Sequence, residues 1–464
     1  MSADQSADEK RDDAAKGITE IAVQGFKSLY DEQRIKVRPL TILAGANNSG
    51  KSSIMQPLLM LKQTLDATYD PGPLKLDGPN VHFTSAEQFL SRRRSDGGIP
   101  IHLDGAKFTV RLAVRDDEMQ GEEWMASTFE YQQGRGVDLF EIRTSRWPRF
   151  SLRPEEAPLA DDPDDDMNES LVRAFPGILG EEQMIGDVKM LRKRCFLSVE
   201  VHSEDSFARE YLLFSPFAHY VVILFVHVPA LRGNPRTYQS AGFDLQHRFH
   251  YEGTFENYIA SIIESWQNTQ DGRLERLGRA LKKLNLTWKV VAGRLNDVEI
   301  ELRAARLSKR QVNEREDLVN IADMGVGVSQ VLPVLVALLT AVPGQLVYLE
   351  HPERDLHPRA QVALAQVLAD AAKRGVRVVV ETHSPLLLLG VQTLIAEGTL
   401  PPDHVALHWF ERSEDGATTV TSADLDEAGA FGDWPEDFAD VDLKSDSRYL
   451  DAAESVLWKQ ARAS

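Results

Sequence analysis

Nine residues carry the sharpest chemical signal in this chain: GANNSGKSS at 45–53. Gly45 and Gly50 bracket four residues, and Lys51 and Ser52 follow at once, which is the spacing of a loop that holds phosphate. Glycines let the backbone fold tightly, so that successive N–H groups, those of Asn47, Asn48, Ser49 and Gly50 among them, point inward at phosphate oxygens. The helix expected to follow, through Ser53, adds the positive end of its dipole. Lys51 is long enough to reach β- and γ-phosphates, and the Ser52 hydroxyl can ligate magnesium. A glycine-rich turn would match this pattern by accident in on the order of 1% of chains of this length. A strand-like segment before the loop and a helical one after it lower that further, so the expected ligand is a nucleotide.

Three other segments could complete such a site. QLVYLEHPERDLHP (345–358) places Glu350 after four largely apolar residues, at the end of a buried strand, where a carboxylate can hold magnesium through water. The alternative for a lone glutamate there is that it simply meets solvent. VRVVVETHSP (376–385) places His383 just past a second buried strand, within reach of a γ-phosphate if both strands end at one sheet edge. DMGVGVSQVLPVL (323–335) places Gly325 and Gly327 ahead of Ser329 and Gln330 at an expected helix start, a second site for an anion.

The elements that must position these residues alternate. VRPLTILA (37–44) reads as the strand before the phosphate loop. Ile54, Leu58, Leu61 and Leu65 then recur at helical spacing, with Pro57 expected to distort the first turns. In the last third, helix (329–341), strand (345–350), helix (359–375), strand (376–381) and strand (404–410) imply a mostly parallel sheet with helices packed on it, an α/β fold. Between about 70 and 215 short alternating stretches point to antiparallel strands instead. Residues 254–284 read as helical, with strands at 286–291 and 297–302. The expected organisation is a polar leader (1–16), a first nucleotide-binding segment (17–70), an inserted β-rich region (71–253) with an acidic, proline-broken loop at 154–169, a helix and strand subdomain (254–310), a second nucleotide-binding segment (311–412) and a C-terminal extension (413–464).

Composition closes off several classes of function. Fifty-two lysines and arginines against 71 acids leave a net charge of −19, the wrong sign for a surface that coats nucleic acid, though a local basic groove stays open. Cys195 is the only cysteine, so there is no intrachain disulfide and no multi-cysteine metal site. The longest apolar run, 220–228, is strand-sized and far short of the ~18 residues a membrane helix needs. The acidic, polar N-terminus has the character of neither a secretory signal nor a presequence, so the expected compartment is the cytoplasm.

Taken together, the motifs resemble the ABC-type ATPase head shared by SMC proteins and OLD-family ATPases. GFKSL (25–29) resembles its adenine-side strand and turn, which brings in Lys27 and Ser28; GANNSGKSS resembles its Walker A. GVGVSQ resembles its signature helix, LVYLEHPERDLHP its Walker B and D-loop, and ETHSP its switch-histidine loop. More narrowly, LDGPNVHFTS, VPALRGNPRTY, GVGVSQVLPVL and GDWPEDF resemble a bacterial group of ATPases found beside nucleases in anti-phage systems of the Septu kind. The resemblance covers about 18–440. It implies a mostly parallel central sheet with an antiparallel β and helical insertion between Walker A and signature, with ATP and Mg2+ as ligands. It also implies composite sites, in which Gly327, Ser329 and Gln330 of one subunit act on the nucleotide of another. Homodimers or larger assemblies follow, with a separate effector such as a nuclease and no membrane.

The chain departs from the resembled pattern at one point. Asp-Glu-Pro is usual at the Walker B end, and here the residues are Glu350, His351 and Pro352. Aligned on the proline, Glu350 takes the magnesium role and His351 the water-activating role, which implies slow hydrolysis and a faster His351→Glu variant. An SMC-like repair ATPase that binds DNA directly, and a scaffold that binds ATP without hydrolysing it, stay open. The first lacks a long heptad segment for a coiled-coil arm. A transporter ATPase fits less well, since the signature departs from LSGGQ. Arg232 and Arg236 could reach a phosphate or an interface, or simply pair with nearby carboxylates. SRRR at 91–94 could touch DNA or a partner or be a solvated loop; His357 could border an interface or shape a turn; Trp434 and Phe438 are expected to pack a lid or subunit contact.

Overall fold

The computed structural model describes residues 16–91, 104–115, 122–145, 150–151, 186–193, 196–203, 206–212, 220–240, 251, 253–306, 317–432, 447–448 and 450. The acidic loop at 154–169, Cys195, Arg92–Arg94, Trp434 and Phe438 lie outside these residues.

A six-stranded sheet forms the centre. Its strands are β3 (Leu40–Gly45), β11 (Phe225–Val228), β16 (Leu346–Glu350), β17 (Arg377–Glu381), β18 (Val405–Arg412) and β19 (Thr418–Ala423), in the order β11-β16-β17-β3-β18-β19. All neighbours run parallel except β19, which returns antiparallel along β18. Near-continuous apolar runs suit strands covered on both faces, and β3, β11 and β17 are buried throughout. Side chains alternate between two cores. Ile42, Val347, Leu349, Val378 and Val380 face one, and Leu43, Leu346, Tyr348 and Val379 face the other.

Helices cover the first face. They are α2 (Ile259–Asn268), α3 (Gly272–Lys283), α4 (Val326–Thr340), α5 (Pro358–Ala372) and α6 (Pro385–Ala396). The stretch 254–284, expected to be helical, holds α2 and α3 with a turn between them: Gln270 adopts a left-handed φ of 53°, and Asp271 then caps α3 by accepting the Arg273 N–H. Helix α4 begins at Val326, three residues before the expected start. On the second face lies α1 (Lys51–Leu65), which continues through Pro57 without a break.

A second sheet, β2-β1-β4-β5-β6-β7, is antiparallel throughout. It joins β1 (Gly17–Gln24) and β2 (Gln33–Lys36) to β4 (Lys107–Arg115), β5 (Glu122–Gln132), β6 (Gly136–Thr144) and β7 (Phe150–Ser151). The opening strands therefore pair with the inserted region rather than with the phosphate-loop strand. Conversely, β11 lies within the expected insertion yet forms an edge of the central sheet. Phe26, Phe83, Phe89, Phe108 and Phe129 pack ring on ring between this sheet and α1. Two small sheets complete the described residues. One contains β8 (Gly186–Lys193), β9 (Phe196–Ser203) and β10 (Ser206–Leu212); the other β12 (Tyr238–Gln239), β13 (Val290–Arg294), β14 (Glu299–Ala305) and β15 (Leu318–Asn320).

The two large sheets are tied through His408 on β18. Its Nε2 donates to the Lys36 carbonyl at 2.9 Å, so Nδ1 is left to accept from Ser422 Oγ at 2.7 Å. This neutral tautomer is buried, and burial pushes its pKa down to about 4 from an ordinary 6.5. Between those values the unfolded chain binds a proton that the folded chain does not, so stability falls as pH falls through that window. Chemical unfolding of wild type should lose roughly 2–3 kcal/mol more between pH 7 and pH 4 than a His408→Gln variant does.

Candidate functional site

The phosphate loop links the end of β3 to the first turn of α1. Gly50 has a φ of 98°, and a Cβ there would stand 2.5 Å from Thr418 Oγ1 and 3.0 Å from Ser28 Oγ. Only glycine fits both the conformation and the space. The Thr418 hydroxyl lies 2.7 Å from both Ser28 Oγ and the Ser49 carbonyl, so the turn after β1 and strand β19 brace the loop together. Lys51 is buried and donates to the carbonyls of Gly45 at 3.0 Å and Ala46 at 2.7 Å. Burial lowers its pKa, and Glu381 partly offsets this.

The loop opens on a cleft of about 480 Å³ lined by Lys27, Ser28, residues 47–53, Gln56, Gln88, His351, Glu381, His383 and Arg412. The structure thus brings together Lys27, Ser28, Asn47, Asn48, Ser49, Gly50, Lys51, Ser52, Ser53, His351 and His383. Lys27 is held toward α1 by donating to Gln56 Oε1 at 2.6 Å, with its ammonium 4.9 Å from the centre of the Phe83 ring.

Glu350 does not join them. Its Oε1 lies 3.1 Å from His227 Nε2, and its Oε2 accepts the Ala230 N–H at 3.0 Å. Burial alone would raise its pKa, but His227 and the Ala230 N–H outweigh this and hold it below the ordinary carboxylate value. Glu350, expected to hold magnesium through water, sits on the strand beyond β17. Strand β17 lies between β16 and β3, with Glu381 opposite both Glu350 and Leu43. The carboxylate beside the phosphate loop is therefore Glu381, whose Oε1 accepts the Ser52 hydroxyl at 2.9 Å and whose Oε2 accepts the Tyr348 hydroxyl at 2.8 Å. Burial pushes the Glu381 pKa up, against the hydroxyls that favour its anion. The sequence carried its signal, a glutamate ending VVVE directly before Thr382 and His383, but not the strand order that makes it matter.

His351 is held in a left-handed conformation, φ 44°. Its N–H donates to the Glu381 carbonyl at 2.8 Å, and its ring stacks on His383 with centroids 4.9 Å apart. Nδ1 lies 3.9 Å from Glu353 Oε1 and Nε2 3.7 Å from Glu381 Oε1. Glu353 is in turn fixed by the Thr382 hydroxyl at 2.6 Å. The Glu353 contact pushes the His351 pKa up against its burial, whereas burial, Lys51 and His351 push His383 down to about 4. The stacked pair thus has one ring that favours a proton and one that refuses it.

Ser329 and Gln330 face inward. Ser329 is 2% exposed, with its hydroxyl on the Val326 carbonyl, and Gln330 is 8% exposed, donating to the Arg232 carbonyl at 2.9 Å. Because α4 starts at Val326, both residues fall past its first three positions instead of at its tip. Gly327 packs against Leu286 and Leu356, and Gly325 faces open space. Arg232 does not reach the cleft: it donates to the carbonyls of Pro229, Glu350 and His351 and so pins the end of β16. Arg236 pairs with Asp323 at 2.6 Å, and His357 caps α5. Gln56, Gln88, Arg412 and Thr418 enter the site with no motif to announce them.

Residues 222–389 match the family described as "AAA domain, putative AbiEii toxin, Type IV TA system", and residues 17–113 that described as "AAA ATPase domain". A search of curated proteins gives no match. Among solved structures, an SmcHead bound to the C-winged helix domain of ScpA is similar at 12% identity over 89% of this chain and 99% of that one, with a TM-score of 0.48. The SMC head domain from Thermotoga maritima is similar at 10% identity over 88% and 100%, with a TM-score of 0.39. An Smc head domain with an extended coiled coil, derived from Pyrococcus furiosus, is similar at 12% identity over 88% and 96%, with a TM-score of 0.43.

The phosphate loop between a buried strand and a helix, set in a parallel sheet, together with the two AAA matches, defines the class: this chain is a P-loop ATPase. The two segments that match AAA families, 17–113 and 222–389, both belong to it.

Lys51→Ala removes a buried cation of the cleft whose two carbonyl partners phosphate oxygens can replace. Nucleotide affinity measured by calorimetry should fall by roughly 100-fold or more, the equivalent of two charge-assisted hydrogen bonds. The unliganded variant should fold and melt close to wild type, since the ammonium's desolvation cost disappears with its bonds.

Proposed function

We propose that this ATPase is a slow nucleotide switch: copies of the chain associate around ATP in the cytoplasm and control a separate effector, a nuclease, in anti-phage defence. The observation that carries the switch is the division of the nucleotide machinery. None of residues 325–330 lines the cleft of the phosphate loop, yet Gly325 and Val326 leave the start of α4 open. A second copy could present that helix start to a nucleotide held in the first. Leu231 and Val326, 77% and 54% exposed, sit on the two segments joined by the Gln330–Arg232 bond, which supports a covered surface there. No described helix is long and apolar enough to cross a membrane. The effector and its defence role rest on the resemblance of the sequence motifs alone.

The cleft suits a magnesium nucleotide. Its donors next to Lys51 are the Ser52 hydroxyl and a carboxylate, hard oxygens of the kind that hold magnesium together with phosphate. When bound, the ion supplies charge neutralisation on the phosphoryl group. Lys51 and the loop N–H groups orient the triphosphate. His351 is the ring of the pair with the higher proton affinity, so in its unprotonated form it can accept a proton from water near the γ-phosphate, with Glu353 fixing the ring, and His383 stays neutral to orient that water.

The neighbours of His351 reverse one expectation. Glu353 and Glu381 already lie within 4.0 Å of its ring, so a glutamate in its place would make a third crowded carboxylate. His351→Glu should therefore not hydrolyse ATP faster than wild type, and His351→Gln should lose about 100-fold if the ring is the base. Light-scattering mass with and without Mg-ATP, on wild type and Lys51→Ala, tests the switch, with phosphate release followed in parallel. Wild type should gain mass with ATP and release phosphate slowly, and Lys51→Ala should do neither. A mass indifferent to ATP would leave no switch.

A further inference from the structure

We infer that Arg412 is a specificity-determining residue of the nucleotide cleft: its guanidinium stacks on the face of the nucleobase. The inference rests on the reading of the cleft as a nucleotide site whose γ-phosphate end lies at His351 and His383. Those histidines follow β16 and β17, which lie on one side of the phosphate-loop strand. Strand β18 lies on the other side of β3, with Phe410 opposite Gly45 and Arg412 two residues further on. The turn after β1 is drawn to that same side, because Thr418 on β19 holds Ser28. A triphosphate that runs along the loop toward the histidines leaves its nucleoside toward Arg412, Lys27 and Ser28.

Arg412 is free to meet the base. It is exposed where it lines the cleft, and among the described residues it forms no ion pair and no ring contact. Its side chain makes one hydrogen bond, from Nε to the Gly416 carbonyl at 3.2 Å, which leaves both Nη atoms uncommitted. That carbonyl belongs to a closed hairpin: the Ser413 N–H donates to the Ala417 carbonyl and the Gly416 N–H to the Ser413 carbonyl, both at 2.9 Å. The cleft offers a base no aromatic partner at this end. None of the described residues that line it is phenylalanine, tyrosine or tryptophan, and its two imidazoles stand at the γ-phosphate end. Lys27 and Gln88 have their polar ends engaged, with Gln56 and Thr84. A guanidinium is planar, delocalised and weakly hydrated, so it lies flat on a π-face at little desolvation cost, which a compact ammonium cannot do.

Calorimetry with ATP, CTP and inorganic tripolyphosphate, each with magnesium, tests the assignment on wild type, Arg412→Ala and Arg412→Lys. Arg412→Ala should bind ATP roughly tenfold more weakly, the size of one desolvated cation–π contact. CTP should lose less, because a single ring offers less face, and tripolyphosphate should bind within about twofold of wild type. Arg412→Lys, which keeps a charge and a donor but no plane, should stay close to Arg412→Ala. Tripolyphosphate weakened in step with ATP would make Arg412 a phosphate contact or a brace of the loop. Equal losses for ATP and CTP would make it a ribose contact, and an Arg412→Lys protein that binds ATP as wild type does would make it a point charge. Each of these overturns the stacking assignment, as does unchanged ATP binding by Arg412→Ala. Failure of wild type to bind ATP at all would instead sink the nucleotide reading on which it depends.

Discussion

At one edge of the central sheet, Lys51, Glu350, Glu353, Glu381, His351 and Arg232 are wholly or largely withdrawn from water, and each must find compensation inside the protein. Removing a single charge from water costs several kcal/mol unless partners replace the solvent. That requirement organises the site. Two polar clusters result, side by side on neighbouring strands. One gathers Lys51, Ser52, Glu381, His351 and His383 around the cleft; the other gathers Glu350, His227, Asn80 and Arg232 away from it. Arg232 binds them together, because its guanidinium takes the carbonyls of both Glu350 and His351.

His351 shows the same compensation at the level of the backbone. A histidine at φ 44° carries about 1–2 kcal/mol of strain relative to an ordinary conformation. It persists because its N–H donates to the Glu381 carbonyl and its own carbonyl accepts from Arg232. The strained turn lays the ring flat against His383 and between two carboxylates. Loosening either bond would free the ring from the position facing the phosphate loop, so the electrostatics of one cluster and the geometry of the other are coupled.

Local patterns in the sequence were enough to read the phosphate loop, the buried strands and the helices between them, because spacing and periodicity report on neighbours a few residues apart. What they could not report was which strands lie side by side. VVVE and YLE read alike as apolar strands ending in an acid; only the order of β16, β17 and β3 shows that Glu381 lies against Ser52 while Glu350 lies against His227. The opening strand β1 pairs with both its neighbour β2 and the distant β4, a partnership no local pattern marks. At α4 the miss is one of phase. Starting the helix at Val326 instead of Ser329 turns Ser329 and Gln330 from the tip into the interior. Thr418 and Arg412 join the site from distant segments with no local pattern to mark them.

The strand order also gives a physical reason for a histidine where the resembled pattern has glutamate. With acids at 350, 353 and 381 on one sheet edge, a fourth carboxylate at 351 would lie against two others in a poorly solvated pocket, before any triphosphate arrives. Like charges in such a place drive each other to protonate, and a protonated acid cannot accept a proton from water. A histidine between Glu353 and Glu381 relieves that repulsion while keeping a nitrogen able to take a proton. A histidine at 351 is thus compatible with the acids at 353 and 381 where a further glutamate would be repelled by both.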